Sequence, residues 1–99
     1  MSEEKVIVAG WTTVDPERRD EAVESFKDLV LRARNVPGCL DMAITADTVD
    51  PSRINIFEFW RSEEDLNSWR AVSDPPKKVT PIIQMGVQKH IIQESGPPF

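Results

Sequence analysis

Six apolar residues, Ala22, Val23, Phe26, Leu29, Val30 and Ala33, recur at the i, i+1, i+4, i+7, i+8, i+11 spacing of a single helix face. The stripe lies between two stop signals, and this constrains the fold more than any other stretch. Ahead of it stand Asp15 and Pro16. Asp is a favoured N-cap, and Pro at the first helical position loses no hydrogen bond, because that N–H has no helical partner. Behind it, Asn35-Val36-Pro37-Gly38 ends the helix near Arg34: Asn suits the left-handed C′ position and Pro37 cannot continue the ladder.

Strand-like segments flank this helix. Lys5 to Val14 is rich in Val, Ile, Thr and Trp and reads as a strand closed by Asp15-Pro16. A second strand is expected from Cys39 to Ala46 and a third from Arg53 to Trp60. The turn formers between them are few enough for an antiparallel hairpin. Ser62-Glu63-Glu64-Asp65 has the form of a capping box and predicts a helix from Glu63 to Val72. Asp74-Pro75-Pro76 suggests a short further helical piece that Pro81 ends or kinks, with a last strand from Gly86 to Glu94. The resulting order, β-α-β-β-α-β, is the α+β ferredoxin-like plan with an antiparallel sheet. We expect one domain over residues 1–94 and an extended tail over 95–99.

In a simple ferredoxin-like monomer one sheet face is wet, so each strand alternates apolar and polar residues. Here both faces are apolar. Ile54, Ile56 and Trp60 share one face of the third strand, while Phe57 and Phe59 take the other. Val6 and Val8 oppose Ile7 and Trp11 on the first strand. A second apolar face of this kind predicts a homodimer with sheet packed against sheet. The other reading is a patch shielded by the tail and the Pro-rich segment.

Composition narrows the function. The chain has 99 residues, 39% hydrophobic and 29% charged, with net charge −5. That acidic balance disfavours a nucleic-acid backbone as partner. No apolar run reaches the ~20 residues of a membrane span, and the acidic start Met1-Ser2-Glu3-Glu4 is unlike a secretory leader, so a cytoplasmic protein is expected. A single cysteine, Cys39, and a single histidine, His90, rule out an internal disulfide and a Cys/His metal cluster. Cys39 reads as a small buried hydrophobe. We therefore expect no Cys/His metal site.

Pro37-Gly38-Cys39-Leu40 after the first helix, together with Phe57-Glu58-Phe59-Trp60-Arg61-Ser62-Glu63-Glu64-Asp65-Leu66 at the third strand's end, resembles the antibiotic biosynthesis monooxygenase domain family. The resemblance runs from about Lys5 to Glu94 and implies a dimeric α+β barrel with a pocket between sheet and helices. It also implies cofactor-independent oxidation of quinols or aromatic polyketides, or, in other members, haem degradation. Many members carry a histidine nine residues after the aromatic that ends the third strand; counting from Trp60 reaches Trp69, and some polyketide-oxidising members carry tryptophan there. Asp65 takes the place of their asparagine, Lys89 is the nearest cation on the last strand, and no tyrosine is present. The haem degraders need an axial histidine that residues 70–85 lack.

Each candidate has a plain reading and a chemical one. Trp69 is either a core indole or a stacking wall for a flat ligand. Asp65, one turn before it, is either charge at a helix N-terminus or a proton acceptor for a phenol. His90 is either a half-exposed strand residue or the base. Glu58, between Ile56 and Trp60, is either a buried acid or an edge carboxylate. The expected catalytic residues are Asp65, His90 and Trp69, with substrate contacts from Trp69, Trp60, Val79, Ile83 and Lys89. Two functions stay open. One is a monooxygenase that oxidises a small planar phenol, hydroquinone or aromatic polyketide with O₂, and the other a non-catalytic homodimeric module that binds a small ligand.

Overall fold

The computed structural model describes residues 4–99, so residues 1–3, which carry most of the argument against a leader, lie outside the described residues. Four strands, β1 (Lys5–Thr13), β2 (Cys39–Ala46), β3 (Arg53–Trp60) and β4 (Gln84–Ile92), pair antiparallel in the order β2-β3-β1-β4. Three helical pieces, α1 (Arg19–Ser25), α2 (Lys27–Ala33) and α3 (Glu63–Val72), complete the sequence β1-α1-α2-β2-β3-α3-β4. This is the ferredoxin-like α+β plan with its first helix in two pieces. Among the described residues no helix is long and apolar enough to cross a membrane.

The break between α1 and α2 has a local cause. In an unbroken helix the Phe26 N–H would bond to the Ala22 carbonyl. That carbonyl instead accepts the Ser25 hydroxyl at 2.6 Å, and the Phe26 N–H turns to Val23 at 3.1 Å. The stripe survives the break, with Ala22, Leu29 and Ala33 all buried. The start also differs from expectation. Asp15 Oδ1 accepts from the Glu17 N–H at 2.9 Å and the Asp15 carbonyl from the Arg18 N–H at 3.0 Å, closing a turn before α1 begins at Arg19.

Three further boundaries are corrected. Gly38, not Asn35, takes the positive φ of 90° after α2, and a side chain there would collide with Asp65. No helix forms after Asp74: this residue takes φ 46°, and the prolines at 75 and 76 keep the segment irregular. Strand β4 runs from Gln84 to Ile92 rather than 86 to 94, because its partner β1 offers Thr13 and Lys5 as the last pairing positions.

Pairing registers assign the faces. Val6, Val8 and Thr12 of β1, Met42 and Ile44 of β2, and Ile54, Ile56, Glu58 and Trp60 of β3 share the inner face. One core cluster joins Val6, Val8, Met42 and Trp60 to Leu29, Ala33, Leu66 and Trp69; a second joins Val14 and Ile54 to Ala22. Trp60, Leu66 and Val6 are wholly buried, each worth about 1.5–3 kcal/mol of transfer free energy. All the helices' buried residues join these inner clusters. The outer face carries Ile7, Ala9, Trp11, Phe57, Phe59, His90 and Ile92. Here Trp11 lies so close over Gly86 that a Cβ at Gly86 would strike its indole ring.

Candidate functional site

Between the inner sheet face and the helices lies a cavity of about 440 Å³, within the range of small-molecule sites. Its floor comes from the sheet: Val8 and Thr12 on β1, Ile44 on β2, and Ile54, Ile56 and Glu58 on β3. Ala22, Ser25, Phe26 and Leu29 close one side, and the irregular segment after α3 closes another. That segment is tied down by Arg32 of α2, whose guanidinium donates to the carbonyls of Ser73 at 2.8 Å and Asp74 at 3.2 Å. At its far end the Ile83 N–H donates to the Thr13 carbonyl at 2.8 Å.

Among the described residues, Glu58 is the only acidic side chain that lines this cavity. It points inward because it alternates with Ile56 and Trp60, and its cross-strand neighbours are Val8 and Met42. Its Oε1 accepts the Trp60 indole N–H at 3.1 Å. No other hydrogen bond engages the carboxylate among the described residues. Thr12 and Ser25 add hydroxyl groups to the lining, and Arg70, Lys77 and Lys78 add cations.

The structure does not gather the expected catalytic residues around this space. Asp65 stands in the first turn of α3, capped by Ser62: its N–H donates to Ser62 Oγ at 3.1 Å, and its carboxylate accepts from Ser62 Oγ at 2.9 Å and from Arg61 at 2.8 and 3.0 Å. The Arg61 guanidinium and then the Ser62 hydroxyl hold its carboxyl below the usual carboxylate range, which makes it a weaker base. His90 pairs across the sheet with Ile7, exposed on the outer face and so on the wrong side of the sheet. Trp69 is buried in the core. It stacks on Trp60 at 6.3 Å between centroids, with the Arg32 guanidinium 5.7 Å from its ring.

Of the expected substrate contacts, Val79 lines the cavity, whereas Trp60 is wholly buried in the core and does not, its indole N–H donating to Glu58, which does. Ile83 is exposed, and the neighbouring Ile82 takes the lining position. Lys89 shares the inner face, but its Nζ binds Glu63 Oε1 at 3.1 Å away from the cavity. Cys39 is half-buried, and burial pushes its thiol pKa up, as befits an inert thiol. Among the described residues no group of three or more His, Cys, Asp or Glu side chains is placed to hold a metal ion.

The inward parity of Glu58 was readable from the strand. The contributions of Ser25, Arg70, Lys77 and Lys78 were not, because they depend on where the irregular segment folds back.

Solved structures share this fold. A Pseudomonas aeruginosa protein, PA3566, superposes with a TM-score of 0.72 over 95% of this chain and 98% of its own, at 17% identity. A Caulobacter crescentus protein provisionally named an antibiotic biosynthesis monooxygenase gives 0.69 over 93% and 92%, also at 17% identity. Rv0793 from Mycobacterium tuberculosis gives 0.65 over 96% and 100%, at 15% identity. The uncharacterized protein sll1783 of Synechocystis is 24% identical over 66 residues, which span 67% of this chain but only 45% of that longer protein. The model of the antibiotic biosynthesis monooxygenase family matches residues 6–74, well over half of the chain. By that match, and with a fold that agrees throughout, this chain belongs to the antibiotic biosynthesis monooxygenase family.

Proposed function

We propose that this protein is a cofactor-independent monooxygenase that oxidises a small planar phenol or hydroquinone with O₂ in the cavity between sheet and helices, with Glu58 as the proton acceptor. The observation that carries the reading is a single carboxylate on the largely apolar floor of the cavity, with one oxygen bonded by the Trp60 indole N–H and no other hydrogen bond to it among the described residues. A phenol's pKa near ~10 leaves little anion at neutral pH, and the anion is the form that readily gives an electron to O₂. A carboxylate within hydrogen-bond reach of the phenolic hydrogen raises the share of that electron-rich form at the moment of reaction. One oxygen atom enters at a ring or benzylic carbon and the other leaves as water; the substrate gives up two hydrogens to that water and supplies all four electrons, ending as a quinone, so no outside reductant is consumed. The apolar walls contribute a dry setting in which the charged intermediate is shielded from bulk water.

The proposed working form is a homodimer that packs the outer faces of two sheets together. Ile7, Trp11, Phe57, Phe59 and Ile92 form an apolar face without a helix over it among the described residues, and a second copy is the natural cover.

Oxygen uptake across a panel of hydroquinones and anthrones, with no cofactor added, tests the proposed activity. The expected result is consumption of one O₂ per product, with a single atom from ¹⁸O₂ retained in the product. Tight binding of panel members without any oxygen consumption would contradict it and leave a non-catalytic binding module.

A further inference from the structure

The chain is acidic overall, yet the cavity is edged by cations. Seven of its 12 lysine and arginine residues, Arg18, Arg19, Arg32, Arg34, Arg53, Arg61 and Lys89, form ion pairs. Of the five left without an ion-pair partner among the described residues, three line this one cavity: Arg70, Lys77 and Lys78. Arg70 stands in the last turn of α3, where a cation also suits the helix C-terminus, but the dipole accounts for neither lysine. Lys77 and Lys78 follow the two prolines of the wall segment and are exposed, so they sit at the rim while Glu58 lies on the floor beside Trp60.

On a chain of net charge −5, three cations without an ion-pair partner among the described residues thus gather at one recess, where they favour an anionic group. We propose that the ligand of this cavity is an acidic phenol: a flat apolar body whose phenolic hydroxyl reaches Glu58 and whose other end carries an anionic group held by Arg70, Lys77 and Lys78. The charges also orient it. Glu58 repels the anionic end and accepts a hydrogen bond from the hydroxyl, while the rim attracts the anionic end, so one of the two ways round is favoured. The inference rests on the reading of this cavity as the substrate site.

Anaerobic calorimetric titration tests it, because without O₂ it reads binding apart from turnover. The probes are hydroxybenzoate, hydroxynaphthoate and a hydroxyanthracene carboxylate, each compared with its uncharged methyl ester. At least one acid is expected to bind about tenfold tighter than its ester, the worth of one well-placed charge-assisted contact. The gap is expected to close in a Lys77→Gln/Lys78→Gln/Arg70→Gln variant and to shrink as salt is raised. The ester-to-acid ratio is taken within each protein, so a change in overall stability does not mimic the effect. Equal binding of acids and esters, a preference that survives the triple substitution, or no binding by any of the acids would overturn the proposal. If oxygen uptake fails while the preference holds, the oxygenase reading falls and the acidic-ligand assignment stands.

Discussion

Two carboxylates, Asp47 and Glu58, show two different uses of a charged side chain, one holding a turn and the other facing the cavity. Asp47 belongs to the first kind. Its carboxylate accepts from Asn55 Nδ2 at 2.8 Å and from the N–H groups of Asp50 at 2.8 Å and Val49 at 3.1 Å, fixing the β2–β3 connection. Those bonds, Asn55 first, pull its pKa down to about 2. A carboxyl whose folded pKa lies below its unfolded value stabilises the fold above the unfolded pKa and loses that contribution as pH falls through the folded one. Urea midpoints are therefore expected to drop between about pH 4 and pH 2, and Asp47→Asn is expected to flatten part of the drop. An equal drop in wild type and variant would show that the group does not titrate as described. Glu58 is of the second kind, and strand parity made it legible. Asp65 was misleading because helix spacing sets it near Trp69 without revealing that Arg61 and Ser62 occupy both its oxygens.

At the scale of elements, most boundaries were readable where local chemistry decides them. Strands β2 and β3 and helix α3 match the sequence reading to the residue, and Ser62 caps α3 as its capping box implies. Ser62→Ala is expected to cost about 1 kcal/mol, within the usual range for a lost N-cap, and chemical denaturation measures it. A loss near zero would mean that the adjacent Arg61–Asp65 pair carries the helix start alone. What the sequence did not disclose is the break at Phe26, because Ser25's choice of the Ala22 carbonyl is a rotamer, invisible to apolar periodicity. The irregular segment after α3 was opaque for a related reason. It has no period, and its path is set by distant donors on Arg32 and a distant acceptor on Thr13.

For the whole molecule, the two-sided apolar strands and the β-α-β-β-α-β order carried the fold class, since they follow from parity and turn chemistry alone. The cavity did not follow from them, because it exists only where sheet, α1, α2 and the irregular segment meet. The proposed dimer belongs to this scale. Phe57→Asp, placed on the outer face, is expected to convert a dimer to a monomer in sedimentation equilibrium at micromolar concentration, since burying an unpaired charge costs several kcal/mol, on the order of 3 or more. A wild-type protein that sediments as a monomer would contradict the sheet-to-sheet assembly. The central claim, oxidation of a phenol in the inner cavity with Glu58 as proton acceptor, is tested most directly by oxygen uptake of Glu58→Gln beside wild type on an accepted substrate. The predicted result is a rate lower by about 10²- to 10⁴-fold, the usual worth of a positioned base, with substrate still bound. Full oxygen uptake by Glu58→Gln would contradict it.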